Sequence, residues 1–366
     1  MDSVRGMVGS VRKSFTFKRP RLSGHTDGTA GEDTAGPTPP SSSNSQIRPS
    51  FNRGMSHFEY KMAPTEAMAH RVAQHHKLIR QITGFLIHPL IQSSLLWNAK
   101  IADLNTGTGV FLTELCKDPM NKDYTLVGFG TMPEIFPLNT SATSGPSVTF
   151  EVHNILRPHP RQRHESFDSV HTSFLGPVLV GNDWDNAFDN MMALAKPEGW
   201  IQWIDVNLSS RDNKDRIYVS KPNTNKASYI EMMEGIAFLD AWFDNKVSGG
   251  KRLKEIAKRH IDVESVWEDV FNTAQLNEVR VQIDILSVQA WKRLLGQLPA
   301  VAGWDSARVE RVTEGMIQEA KNQVYIPLEV YVVVAQKKSA AKLAEYREKE
   351  KADFGTKAKE LKQIVC

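Results

Sequence analysis

The run Ile101-Ala102-Asp103-Leu104-Asn105-Thr106-Gly107-Thr108-Gly109, followed by Val110-Phe111-Leu112-Thr113-Glu114-Leu115, reads as a short buried strand, a tight glycine-rich turn and a helix. Such a turn sets backbone N–H groups and a helix N-terminus beside whatever lies over it. An acidic residue at a strand end followed by spaced glycines suits a nucleoside ligand. Glycine-rich strand-to-helix turns are common in α/β proteins, so the rest of the chain decides what this one means.

Downstream, strands and helices alternate. Tyr124–Phe129, Ser147–Val152, Phe167–Thr172 and Trp200–Val206 are β-prone runs, and Trp184–Ala195 is an amphipathic helix stopped by Lys196-Pro197-Glu198-Gly199. Leu276–Ile285 alternates like a strand, Val288–Leu298 and Ala307–Gln323 read as helices, and Val330-Tyr331-Val332-Val333-Val334 closes the sheet. Upstream, Thr65–Ile79 predicts a helix with Met68, Val72, His75 and Ile79 on one face, and Ile82–Leu96 is expected to break or kink at Pro89. These two segments precede the first strand and could cover a cleft. Residues 208–276 read as a polar, helix-rich, lid-like insert with helical segments Lys226–Phe243, Gly250–His260 and Ser265–Ala274. Its Met232, Met233, Ile236, Leu239 and Trp242 either line a lid or pack it. The pattern predicts an α/β fold: a seven-stranded, mostly parallel sheet with helices on both faces, plus N-terminal helices and a helical insert.

The domain is expected to span residues 57–337 of the 366. Residues 1–56, rich in Ser, Pro, Gly and Thr, predict a disordered tail, and 338–366 a charged, exposed helix. The tail's basic residues fit a solvated segment, a nuclear signal around Lys18-Arg19-Pro20-Arg21, or a mitochondrial presequence. No apolar run reaches membrane-spanning length. With 45 basic and 42 acidic residues, a net charge of +3 implies no strong nucleic-acid field. Cys116 and Cys366 are too few for a disulfide framework and lack metal-ligand spacing, so no metal is expected. A cytoplasmic location is the default expectation, with the nucleus open.

In their order, these pieces resemble the class I S-adenosylmethionine (SAM)-dependent methyltransferase fold. The closer resemblance is to the fungal methyltransferase-like family, which includes secondary-metabolite methyltransferases and a global regulator of secondary metabolism. It covers roughly Tyr60–Lys337. Its carriers are Glu66…Arg71…Gln74-His75, the Ile101–Gly109 run, Phe167-Asp168-Ser169-Val170-His171, Leu194-Ala195-Lys196-Pro197-Glu198-Gly199-Trp200-Ile201 and Tyr331-Val332-Val333-Val334-Ala335-Gln336-Lys337.

The resemblance implies SAM as cofactor, with Asp103, Asn105, Thr106, Gly107 and Gly109 wrapping its methionine half. It also implies Phe129, Gly130, Thr131 and Met132 at the ribose and adenine, Asn154 and Ile155 flanking the adenine, and His171 with Thr172 below the sulfonium. The family pattern has glycine at Asn105 and an acidic residue at Gly130. Asparagine tolerates positive φ, so the first departure is mild. The second removes a charge-assisted hydrogen bond to the ribose, worth roughly 1.5–3 kcal/mol, unless a group such as Glu134 substitutes. His171, His153 and His75 are candidate proton acceptors by their ordinary pKa. The expected activity is methyl transfer to oxygen or nitrogen of a small-molecule, secondary-metabolite acceptor. Two alternatives stand beside it: a non-methylating cyclisation on the same fold, and a nonenzymatic regulator with a degenerate SAM site.

Overall fold

The computed structural model describes residues 66–349 except 138–144, 177–178, 180, 208–216, 220, 222, 243–251, 273–287, 289–290, 293–294, 297–302, 328 and 347. The chain opens with α1 (Glu66–Thr83) and a single turn α2 (Pro89–Gln92), then β1 (Lys100–Leu104), α3 (Val110–Leu115), β2 (Thr125–Gly130) and β3 (Ser147–Val152). It continues through β4 (Phe167–Ser173), α4 (Asp183–Leu194), β5 (Ala195–Val206), β6 (Tyr218–Val219), α5 (Ala227–Trp242) and α6 (Leu253–Arg259). The last elements are β7 (Val263–Asn272), α7 (Ser306–Lys321), β8 (Val324–Tyr325) and β9 (Glu329–Lys337).

Seven strands form one sheet in the order β3-β2-β1-β4-β5-β9-β7, and only β9 runs against its neighbours. β6 and β8 pair separately. Strand order reverses between β1 and β4, so the crevice outside their carboxyl ends is the place where such a sheet binds ligands. Asp103 and His171 are register partners at that point.

The sheet is buried on both faces, which explains the nearly unbroken apolar runs of its central strands. Ile101, Leu126, Ile204, Val330, Val332 and Val334 pack on the face that also holds Phe111, Met232 and Met316. Ala102, Leu104, Val127, Ile201, Val333 and Ala335 pack with Trp184, Phe188 and Met191 of α4 and Ile256 of α6. Met232, Met233 and Ile236 of the insert are therefore core residues.

Two expectations change. Ser265–Asn272, the described part of the expected Ser265–Ala274 helix, belongs to a strand: β7 pairs with β9 from Val263↔Lys337 to Asn272↔Glu329 and becomes the sheet edge. Its Val263, Val266, Trp267, Val270 and Phe271 are β-branched or aromatic, and pairing with β9 outweighs any local helical preference. The insert thus ends before β7. The Ile82–Leu96 segment is broken as expected: α1 ends at Thr83, and Pro89 occupies the first position of α2, where its missing N–H costs nothing and the His88 side chain caps Leu90 N. Upstream of it, Gly84 at φ +81° closes α1 by donating to Arg80 O. Finally, β5 starts at Ala195, so Lys196–Gly199 lies within the strand, with Glu198 at φ 64°. The tail at 1–56, the Leu276–Ile285 strand and most of the 338–366 segment lie outside the described residues, although a helix begins at Ala340.

Candidate active site

The turn after β1 takes its shape from three left-handed residues: Asn105 at φ 58°, Gly107 at 55° and Gly109 at 66°. Thr106 N donates to Phe129 O of β2 at 2.9 Å, and Gly109 N donates to Thr106 O at 2.8 Å. Asn105 is exposed at the crest, so its side chain does not crowd the core. Beneath it, Asp103 is buried and spends both carboxylate oxygens within the protein. Oδ1 lies 2.8 Å from His171 Nδ1, and Oδ2 accepts from Thr106 Oγ1 at 2.7 Å. A carboxylate only accepts, so the His171 proton sits on Nδ1. His171 stacks on Phe111 of α3, centroids 3.8 Å apart and planes 11° apart, and is itself buried. Asp103 and His171 thus brace the turn from below. Thr108 Oγ1, inside the turn, is buried and has no hydrogen-bond partner.

Helix α1 covers this turn. Val72 Cγ1 lies 2.8 Å from where a Cβ on Gly107 would sit, so only glycine admits the helix so closely. On the same face His76 Nε2 meets Glu114 Oε2 of α3 at 2.6 Å, and Arg80 approaches the other oxygen at 3.4 Å. Burial lowers the His76 pKa and outweighs the opposing pull of Glu114. His75 stacks on Phe174, just past β4, at 4.7 Å and 10°.

On the other side of the turn, Phe150 of β3 lies over Gly128 and Gly109; a Cβ on Gly109 would be 2.5 Å from its ring. Phe136 packs on Phe150 at 5.3 Å and faces Gly130, where the acidic residue of the family pattern would stand. Thr131 and Glu134 are exposed and Met132 is half-buried. At the end of β3, His153 N donates to Gly130 O, Asn154 Oδ1 accepts from Leu156 N, and Ile155 O accepts from Asn190 Nδ2. His153 stacks on His159 at 3.8 Å. His159 is buried, both ring nitrogens lack hydrogen-bond partners, and burial pushes its pKa down to about 3, helped by His153, His164 and Arg163. Among the described residues no group of three or more His, Cys, Asp and Glu could hold a metal ion.

His159 should shape the acid limb of stability. Its folded pKa lies below the ordinary 6.5, so the native state stays neutral while the unfolded chain takes up a proton. Stability is therefore present above about pH 6.5 and is lost as pH falls toward about 3. His159→Phe keeps the ring volume and removes the proton uptake. Melting temperatures scanned downward from neutral pH should fall less steeply in the variant, and coincident slopes would refute a neutral, buried His159.

Of the sequence candidates, Asp103, Thr106 and His171 form one hydrogen-bonded unit, while Gly107 and Gly109 make room for Val72 and Phe150. Gly130 and His153 adjoin at the β2–β3 end, and His75 stands apart on α1. Val72, Phe174, Phe150, Phe136 and His159 escaped sequence reading. The only available signals were Val72 and His75 on one helical face and two prolines flanking His159.

No family model matches the chain. It is 26% identical over 278 residues to methyltransferase grgD of a Penicillium species, a match covering 72% of this chain and 91% of that protein. N-methyltransferase sirN of Leptosphaeria maculans is 33% identical over 150 residues, 40% of this chain and 49% of the relative. N-methyltransferase gliN of Aspergillus fumigatus is 30% identical over 142 residues, 38% of this chain and 47% of the relative. The match therefore spans about half the length of the last two. A seven-strand sheet with one reversed strand, wound outward from an acid-and-glycine turn, is the architecture to which these fungal likenesses attach. Over most of its length the chain is similar to a fungal methyltransferase, and over shorter stretches to two fungal N-methyltransferases.

Proposed function

We propose that the protein transfers a methyl group from SAM to a nitrogen or oxygen of a small-molecule acceptor, a secondary metabolite by class. The observation that carries this is the Asp103–Thr106–His171 unit bracing an exposed left-handed turn at the sheet's switch point. The turn suits the amino-acid end of the cofactor: it has an uncrowded crest at Asn105 and an unpartnered Thr108 Oγ1. At the end of β2, Gly130 provides no carboxylate, and Phe136 covers its β-carbon direction.

Bound SAM supplies an electrophilic methyl group on a sulfonium. The protein's own contribution is positioning, which can account for much of the acceleration of a displacement. Asp103 holds the turn and keeps His171 in one tautomer. Buried under Phe111 and engaged at Nδ1, His171 serves as a brace. His153 flanks the nucleoside half. His75, half-buried on the covering helix beside the β4 end, is the residue we assign to accept the acceptor's proton.

Calorimetric titration with SAM, followed by product mass, tests this reading. Saturable binding and a product heavier by one methyl group are expected. Absence of binding up to about 1 mM, a ceiling near −4 kcal/mol, overturns it. The bare Gly130 position favours one second reading, a cyclisation on the same fold, for which the product would be an isomer of the substrate.

A further inference from the structure

Asp205, near the end of β5, is a fully buried carboxylate. It accepts from Leu175 N at 2.9 Å, from Gly176 N at 2.9 and 3.1 Å, from Val206 N at 2.9 Å and from Trp203 Nε1 at 3.2 Å. Burial pushes its carboxyl up to about 6 despite these donors. Two of the donors belong to the segment that leaves β4, and Gly176 approaches so closely that a Cβ would lie 2.7 Å from Oδ1.

The residue before those donors is Phe174, held at φ 57°. A bulky side chain rarely adopts this left-handed backbone, and such strain persists only where surrounding contacts fix it. Here they do: Phe174 N donates to Ile204 O at 3.0 Å, and Asp205 fixes the next two amides. The result is a phenyl ring parallel to the His75 imidazole of α1. With Val72 on Gly107 and His76 on Glu114, this stack is the third point pinning α1 over the turn.

We propose that Asp205 and Phe174 form a latch that seats α1, and with it His75, over the glycine turn, so that they set how firmly the turn's ligand is held. Phe174 touches α1, and Asp205 acts through it as a positioning residue. Only the ligand readout rests on the proposed SAM site.

The test separates the latch from general stability. Phe174→Gly deletes the ring and relieves the left-handed backbone, which offsets part of the packing it loses; Phe174→Tyr keeps the ring. In ligand-free protein, amide exchange across Glu66–Thr83 should rise at least about tenfold in Phe174→Gly, with α4 unchanged as the internal reference. Phe174→Tyr should restore wild-type exchange, and Asp205→Asn should behave as Phe174→Gly does. Affinity for S-adenosylhomocysteine should fall about tenfold in Phe174→Gly and recover in Phe174→Tyr. Unchanged α1 exchange in Phe174→Gly overturns the latch, and unchanged exchange in Asp205→Asn alone removes Asp205 from it. If the wild type binds no S-adenosylhomocysteine while α1 exchange still rises, the latch stands and the SAM site fails.

Discussion

Replacing Asp103 with alanine should cost about 3 kcal/mol of stability and weaken SAM binding at least about a hundredfold. The carboxylate, Thr106 and His171 are all buried, so truncation strands two donors where water cannot reach them. Each unsatisfied buried donor costs roughly 1–3 kcal/mol. Thr106 also carries the turn through its N–H to Phe129 O, so a released hydroxyl loosens the backbone that the cofactor contacts. Asp103→Asn should be milder. Its amide oxygen can still accept from one neighbour, whereas its NH2 group faces the other and forces a change of His171 tautomer or a flip. Urea denaturation and calorimetric SAM titration of both variants give the comparison. If either variant stays within about 0.5 kcal/mol of wild type, the Asp103 unit does not hold the turn.

The reach of the sequence ends where long-range pairing begins. Strands β1, β2, β4, β5 and β9 were legible because largely buried central strands carry apolar runs between polar turns, β3 because it alternates, and α4 ends just before Lys196-Pro197-Glu198-Gly199. The seven-stranded sheet was expected, but one of its described strands, Val263–Asn272, lay largely in a segment read as helix. Val263–Asn272 has a mixed composition because its exposed positions face solvent at a sheet edge, and only its register on β9 makes it a strand. At the site, Asp103 and His171 were each picked out by residue type, but their bond joins positions 68 residues apart. The left-handed Phe174 is less accessible still: nothing in its neighbours predicts φ 57°, which is imposed by an aspartate about 30 residues downstream. His159, between Pro158 and Pro160, carries no sequence signal for its place as a buried ring stacked on His153.

Gly130→Asp should tighten SAM binding roughly ten- to a hundredfold, the opposite direction from most substitutions in a binding site. The gain expected from a carboxylate accepting the ribose hydroxyls is about 1.5–3 kcal/mol, which sets that range. The backbone permits it, since Gly130 is not among the positive-φ glycines and its carbonyl is already held by His153 N. Space is the cost. A Cβ there would lie 3.1 Å from Phe136 Cε1 and 3.5 Å from Thr106 Cγ2, so the Phe136 ring must yield by a few tenths of an ångström. That repacking should destabilise the free protein by about 1 kcal/mol, and adding Phe136→Leu should recover part of it. A single variant therefore has two expected signs: lower melting temperature without ligand and a smaller dissociation constant for SAM. If affinity is unchanged in both Gly130→Asp and the double variant, the ribose does not lie at the end of β2. The turn would then hold its ligand in another orientation, and the cyclisation reading would gain over methyl transfer.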